Sequence, residues 1–245
     1  AGGTAHNAIP RDAVARLALP PDAVASLHAR VSAARKSLRA RWAADEPGLD
    51  LQVREGRGPD GVDPVPERVL SAEASGRVLR LLDQLPHGVQ RMSEVFPGKV
   101  ETSSNLAEVQ TLPAFILIGT SSRSFVEAEL DRVQARIAAL GKQASAAVEV
   151  RDGYPGWEPD PESRLLRTAE AVYGQVFGVP PEVEVIHAGL ECGVIVSKLP
   201  GMEAISFGPL IRGAHTPEEH VHASTVASTW RLLAALLAAL ARPAF

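Results

Sequence analysis

Two histidines that directly follow short apolar segments are the residues of this sequence best placed to do chemistry. His187 ends the segment "EVEVIH", and His215 lies in "GPLIRGAHTPEE", a loop of Gly, Pro and acids. Loops at the carboxyl ends of strands are where open α/β sheets bind ligands, and imidazole serves as a metal ligand or an acid–base group. Both are therefore candidate functional residues, although a loop histidine is more often only a hydrogen-bonded polar residue. The "HVH" at 220–222 adds two histidines, but no His-x-x-x-His helix or carboxylate–histidine pair completes a metal site.

Three further side chains have both a functional and a simpler interpretation. Arg123 follows a predicted strand in "GTSSRS", where its guanidinium can clamp a carboxylate or simply be solvated. Asn7 follows a Gly pair, where its amide can contact a ligand or close a turn. Cys192 lies near His187, but an inert buried thiol is a better interpretation than a nucleophile.

Composition favours a globular protein and excludes some partners. The chain has 245 residues, 45% hydrophobic and 22% charged, with a net charge of −4 that gives no reason to expect a nucleic-acid partner. The single cysteine excludes an intramolecular disulfide and a cysteine-based zinc site, which favours a reducing, cytoplasmic location. We recognise no signal peptide, and the apolar tail at 232–241 is about half the length that crosses a bilayer. We therefore expect no membrane partner.

Apolar periodicity predicts four amphipathic helices, separated by short strands. The strand candidates cover 114–119, 146–150, 182–187 and 203–208, and the stretch from Glu46 to Val69 is predicted to be an irregular connection. The helices cover 21–45, 126–140 with Gly141 as the stop, 160–178 with Asp160 as N-cap and Pro161 at the first position, and a last helix capped by Ser224 or Thr225.

A change of composition near Asp152 predicts a domain boundary there. The element order before it, strand, helix, strand, indicates an α+β unit. The order after it, helix, strand, strand, helix, indicates the closing part of an α/β sheet.

Five segments together resemble one family of enzymes. They are "GGTAHNAIPRDA", "VETSSNL", "GYPGWEPDPES", "VIHAGLECG" and "ISFGPLIRGAHTPEE", and they occur in the family's order between residues 2 and 219. The family is that of the zinc-dependent Xaa-His dipeptidases, also called aminoacyl-histidine dipeptidases or cytosol non-specific dipeptidases. It belongs to the dinuclear-zinc superfamily of aminoacylases and carboxypeptidases.

The resemblance implies an α/β fold in which a three-layer catalytic domain is interrupted by an α+β lid that dimerises. By that reading residues 1–152 are most of the lid and 153–245 are the end of the catalytic domain. His215 falls on the family's last zinc ligand. Asn7 and Arg123 fall where lid residues hold the substrate, and the resemblance places His187 and Glu191 in a loop that lines the site.

The same resemblance implies that the chain is the C-terminal part of a longer enzyme. The family's other zinc ligands and its catalytic Glu belong upstream of Ala1, so no catalytic residue is expected here and the chain alone should be inactive. This sequence also departs from the family's pattern at two positions. Ala107 stands where the family usually has Gly, and His6 stands where it usually has a basic or long residue.

The implied activity is hydrolysis of dipeptides of the Xaa-His type by a zinc-activated water. The complete enzyme would bind a pair of zinc ions, or other divalent metals, and form a homodimer through its lid. Two alternatives stay open: a non-catalytic binding or dimerisation module of the same fold, and a hydrolase of N-acyl amino acids from the same superfamily.

Overall fold

The chain divides into two compact units in a computed structural model that describes residues 1–54, 68–151, 153–186, 191–214 and 216–241. The first unit comprises Ala1 and residues 12–83, and the second comprises residues 2–11 and 84–245. The predicted boundary residue, Asp152, lies outside the described residues, and both of its flanks belong to the second unit. The division into a lid and a catalytic part stays a prediction.

The first unit contains the longest helix, α1, at Pro21–Trp42, as predicted. Proline at its first position and Asp22 in the first turn suit a helix start, and Arg39 and Arg41 in the last turn complement the helix dipole. Residues 46–54 have no helix or strand, which agrees with the predicted irregular connection, and residues 55–67 lie outside the described part.

A second helix, α2, at Ala72–Gln84, was not predicted. Ser71 begins it, because its Oγ accepts a hydrogen bond from the Ala74 amide at 3.1 Å. Gly76 lies in the helix interior, where glycine is unfavourable, and this weakened the sequence signal.

A three-stranded antiparallel sheet forms the centre of the second unit. Its strands are β1 at Gly88–Met92, β2 at Val100–Thr111 and β3 at Ile116–Ser124, in that order across the sheet. Only β3 was predicted, and it begins and ends later than expected. The strand β2 lacks apolar alternation because hydroxyl pairs take the place of apolar contacts on one face. Its buried Thr102 bonds Ser124 at 2.9 Å, and Ser104 bonds Ser122 at 3.0 Å.

The helix α3, at Glu127–Gln143, packs on β2 and β3. The prediction that Gly141 ends it was wrong, because the helix continues through this residue. Gly141 is buried and close to Val148, so that a Cβ on Gly141 would lie 2.5 Å from Val148 Cγ2. The glycine therefore permits close packing of the returning chain and does not stop the helix.

Two helices form an apolar core near the end of the chain. They are α4, at Arg164–Phe177, and α6, at Ala223–Leu240. Val172 of α4 packs with Leu232 and Leu236 of α6. By length and composition α6 also qualifies as a membrane span, and only 6% of this stretch is buried.

The predicted caps of both helices were wrong. Ser163 caps α4, because its Oγ accepts a hydrogen bond from the Leu166 amide at 3.1 Å, whereas Asp160 accepts one from Glu162 in the preceding turn. The N-cap of α6 is His222, and Ser224 and Thr225 lie inside the first turn. The Thr225 hydroxyl donates to the His222 carbonyl at 2.7 Å.

A short helix and a short strand pair complete the second unit. The helix is α5, at Glu191–Lys198, in a stretch that was predicted to be a loop. The strands are β4, at Ile211–Arg212, and β5, at His220–Val221, paired antiparallel.

Three predicted strands, at 146–150, 182–187 and 203–208, do not form in the described part of the chain. A strand requires a hydrogen-bonded neighbour, and the described residues of these segments belong to no ladder. Several of their apolar side chains, including Val150 and Ile186, are exposed. The β propensity of these segments was therefore real but insufficient without a partner strand.

Two helical glycines should respond oppositely to substitution by alanine. A Cβ added to Gly174, inside α4, would have no neighbouring atom within 4 Å. Gly174→Ala should therefore stabilise the protein by about 0.5–1 kcal/mol, because alanine has the higher helix propensity. Gly141→Ala should destabilise it by about 1 kcal/mol or more, because the new methyl overlaps Val148. Urea unfolding of both variants measures the difference, and equal effects would contradict the packing of Gly141.

Glu203 should stabilise α4 in a pH-dependent way. The Ser163 hydroxyl and the backbone amides of Arg164 and Leu165 bond its carboxylate and hold the pKa of Glu203 below its ordinary value of 4.5. Because the folded pKa is lowered, this stabilisation is present above about pH 4.5 and is lost as the pH falls through the folded pKa. Glu203→Gln should therefore lower the midpoint of thermal unfolding at pH 7, and lower it by less at pH 3. The exposed Glu182→Gln is the control, and a larger deficit at pH 3 would contradict the assignment.

Candidate functional site

Two of the five residues singled out by the sequence, His187 and His215, lie outside the described residues. Glu191 is the first residue of α5, Asn7 lies in an exposed turn, and Arg123 lies near the end of β3. All three side chains belong to the second unit and are exposed.

One face of the sheet carries Arg123. Strand pairing sets Arg123 opposite Ser103 and Ser121 opposite Asn105. Directly paired residues, and residues two apart on one strand, present their side chains on the same face. Arg123, Ser103, Ser121 and Asn105 therefore share a face. We call these four residues the polar face.

Arg91, also in the second unit, is an arginine whose guanidinium is fully engaged in ion pairs within the protein, and it contrasts with Arg123. Its guanidinium bonds the carboxylates of Glu101, Glu129 and Glu94, and these raise the pKa of Arg91. Among the described residues, none forms such an ion pair with Arg123. Arg91 thus holds neighbouring parts of the second unit together through its ion pairs. The guanidinium of Arg123 has five N–H donors, and such a group can bind a carboxylate through two parallel hydrogen bonds.

The turn that contains Asn7 is held against β2 by its backbone. Gly2 exchanges two hydrogen bonds with Val109, at 2.9 and 2.8 Å. Gly3 follows with a φ of 77°, and a Cβ on it would lie 1.8 Å from the carbonyl oxygen of Ala107. Only glycine permits this approach. The Gly pair of the motif "GGTAHN" therefore fixes the position of the turn.

Asn105 makes a second connection between this turn and the polar face. Its Nδ2 donates to the carbonyl of Ala8 at 2.8 Å, which fixes the orientation of the amide. Its Oδ1 is buried and meets no hydrogen-bond partner among the described residues. A buried acceptor without a donor costs about 1–3 kcal/mol, so this oxygen suits a donor from a ligand or water.

Sequence reasoning did not single out Asn105 as a candidate site residue. Asparagine is disfavoured in strands, so its presence inside "VETSSNL" was the available signal. Another histidine, His87, lies directly before β1. Its Nδ1 accepts a hydrogen bond from the Leu106 amide at 3.1 Å, so in the neutral ring Nε2 carries the proton and can donate.

Two glycines bring the end of β3, the "GYPGW" segment and α5 into direct contact. A Cβ on Gly156 would lie 2.9 Å from the carbonyl oxygen of Phe125, two residues after Arg123. A Cβ on Gly193 would lie 3.0 Å from the carbonyl oxygen of Pro155. The backbones therefore meet at these glycines, and they connect the strand of Arg123 to the helix that begins at Glu191.

The described residues do not assemble a metal site of three or more ligands. No group of three His, Cys, Asp or Glu side chains among them could hold an ion. Cys192, in α5, is half-buried and forms no disulfide. A shallow concavity lined by Glu170, Gly174 and Pro181 includes none of the predicted site residues.

Comparison with known proteins identifies similar dipeptidases. No protein-family model matches the chain. The cytosol non-specific dipeptidase of Escherichia coli (strain K12) is 37% identical over 236 residues, which are 96% of this chain and 47% of that protein. The crystal structure of aminoacylhistidine dipeptidase from Vibrio alginolyticus superposes with a TM-score of 0.85 at 30% identity, covering 99% of this chain and 48% of that one.

A third similarity concerns the fold alone. The aminopeptidase PepT of Bacillus cereus superposes with a TM-score of 0.55 at 19% identity over 69% of this chain. The chain spans about half the length of the relatives that it matches. The resemblance predicted from the five motifs is confirmed, and so is the α/β fold class as part of a peptidase fold.

Asn105→Asp should loosen the turn that contains Asn7. The substitution keeps the shape but replaces the donor to the Ala8 carbonyl with a carboxylate oxygen that repels it. We expect amide hydrogen exchange at Gly2 and Val109 to accelerate about tenfold, which corresponds to loss of roughly one hydrogen bond. Gln110→Glu, at the exposed end of β2, is the charge-matched control, and unchanged exchange in Asn105→Asp would show that Asn105 does not hold the turn.

Proposed function

We propose that this chain forms the C-terminal half of a metal-dependent dipeptidase that hydrolyses Xaa-His dipeptides. The observation that carries the proposal is the similarity to the two named dipeptidases over 96% and 99% of the chain. The complete enzyme is proposed to use zinc, to be cytoplasmic, and to form a homodimer through residues 1–152. The name of the Escherichia coli relative supports the location.

The polar face and the Asn7 turn are proposed to hold the substrate. Arg123 would bind the terminal carboxylate of the dipeptide, since a guanidinium binds a carboxylate through two parallel hydrogen bonds. Asn7, held in place by Gly3 and Asn105, would contact the reacting carbonyl or the carboxylate. The buried Oδ1 of Asn105 would accept from a substrate N–H or a bound water. Such positioning contributes to catalysis by fixing the scissile bond relative to the attacking group.

The metal part of the proposal rests on His215 and on ligands from outside this chain. The described residues alone do not fit a zinc site, because they offer no group of three ligands. Bound zinc supplies a water of lowered pKa and polarises the scissile carbonyl. His187 and Glu191 are proposed to line the same site.

Activity measurements test the proposal at two levels. The 245-residue chain should not hydrolyse Xaa-His dipeptides. We propose that a longer protein contains this chain. That longer protein should hydrolyse Xaa-His dipeptides, and it should lose this activity when a chelator removes the metal. Zinc-dependent hydrolysis by the chain alone would contradict the assignment of the metal site. Faster hydrolysis of N-acetyl amino acids would instead favour the aminoacylase alternative, and no hydrolysis of either substrate would favour a non-catalytic module.

Arg123→Ala in the longer protein should separate binding from chemistry. Loss of a bidentate ion pair should raise KM by about tenfold or more with a smaller effect on kcat. Arg136→Ala, an exposed arginine of α3, is the control and should leave KM unchanged. An unchanged KM in Arg123→Ala would refute its role as the carboxylate clamp.

A further inference from the structure

Two exposed histidines near the start of α6 bring their imidazole rings close together. His220 lies in β5, and His222 directly precedes α6. Side chains two apart on an extended backbone lie on the same face, with Val221 on the other. The two ring centroids are 5.4 Å apart, and the ring planes are inclined by 50°. This arrangement is independent of the polar face described above.

A hydrogen bond fixes which nitrogen of His220 is available. Its Nδ1 lies 2.8 Å from the carbonyl oxygen of Glu218. Because a carbonyl can only accept, Nδ1 must donate, and in the neutral ring Nε2 then carries the lone pair. Metal-binding histidines commonly have this pattern, in which one ring nitrogen donates to a backbone carbonyl and the other binds the ion.

The backbone of His222 is held on both sides. Its amide donates to the Leu210 carbonyl at 2.8 Å, and its carbonyl accepts from the Thr225 amide and hydroxyl at 2.9 and 2.7 Å. The Thr225 hydroxyl in turn accepts from the Leu210 amide at 2.9 Å. The strand β5 is also paired with β4, through Ile211 and Arg212. The two histidines are therefore held in register before any ligand binds.

We propose that His220 and His222 form a two-histidine binding site for a divalent transition metal, completed by water. Two imidazoles that bind one tetrahedral ion at about 2.1 Å place their ring centroids roughly 5 Å apart, close to the observed separation. Neutral imidazole selects Cu²⁺, Ni²⁺ and Zn²⁺ over Mg²⁺ and Ca²⁺, which require oxygen ligands. The cation of Arg212, opposite His220, limits the affinity. The site does not use His215 and does not depend on the proposed dipeptidase activity.

Titration of the purified 245-residue chain with CuCl₂, NiCl₂, ZnCl₂ and MgCl₂ tests the site. Isothermal calorimetry should show binding that is tightest for Cu²⁺ and undetectable for Mg²⁺. In NMR spectra, diamagnetic Zn²⁺ should shift the ring protons of His220 and His222.

Substitutions decide whether these two residues form the site. His220→Gln and His222→Asn should each weaken Zn²⁺ binding about tenfold or more, and asparagine keeps a favourable N-cap for α6. His28→Asn, on α1, should leave the affinity unchanged. Circular dichroism verifies that each variant is folded. Unchanged affinity in both His220→Gln and His222→Asn, or loss of binding in His28→Asn, would overturn the proposal.

Discussion

Close approach of backbone to backbone at three glycines is the constraint on which the second unit depends. Gly3 lies directly against the carbonyl of Ala107, Gly156 against the carbonyls of Ser124 and Phe125, and Gly193 against that of Pro155. No residue with a side chain can occupy such positions without moving a main chain. Each glycine lies in one of the segments that carried the family resemblance. These motifs therefore serve close packing of the backbone, whatever their part in the proposed site.

The glycine contacts explain how separate segments can form the proposed substrate surface. The Asn7 turn reaches β2 because Gly3 permits it, and Asn105 then fixes the turn through the Ala8 carbonyl. Arg123 lies on the same face of the sheet as Asn105. The glycine at 156 connects the end of that strand to the segment that supports α5. The positive charge of Arg123, the Oδ1 acceptor of Asn105 (unpaired within the described part of the chain) and the position of the Asn7 turn thus come from different parts of the chain. The three-stranded sheet supports all of them.

Local pattern predicted the helices better than their ends or the strands. Four helices form where periodicity placed them, because the signal lies within each segment. The cap of α4 was missed because Ser163 acts together with Glu203, a residue distant in sequence. The strand β2 was missed because its buried hydroxyls replace apolar contacts. Asn105 gained its role only through Ala8, 97 residues away, a contact that no local pattern can indicate.

The central claim is that the polar face and the Asn7 turn bind a dipeptide. NMR titration of the chain with an Xaa-His dipeptide tests it most directly. We expect saturable shifts of the Asn105 side-chain amide and the Arg123 guanidinium, with no shift of the Arg91 guanidinium, which its carboxylate partners already occupy. Saturable shifts confined to other residues, or none at all, would contradict it.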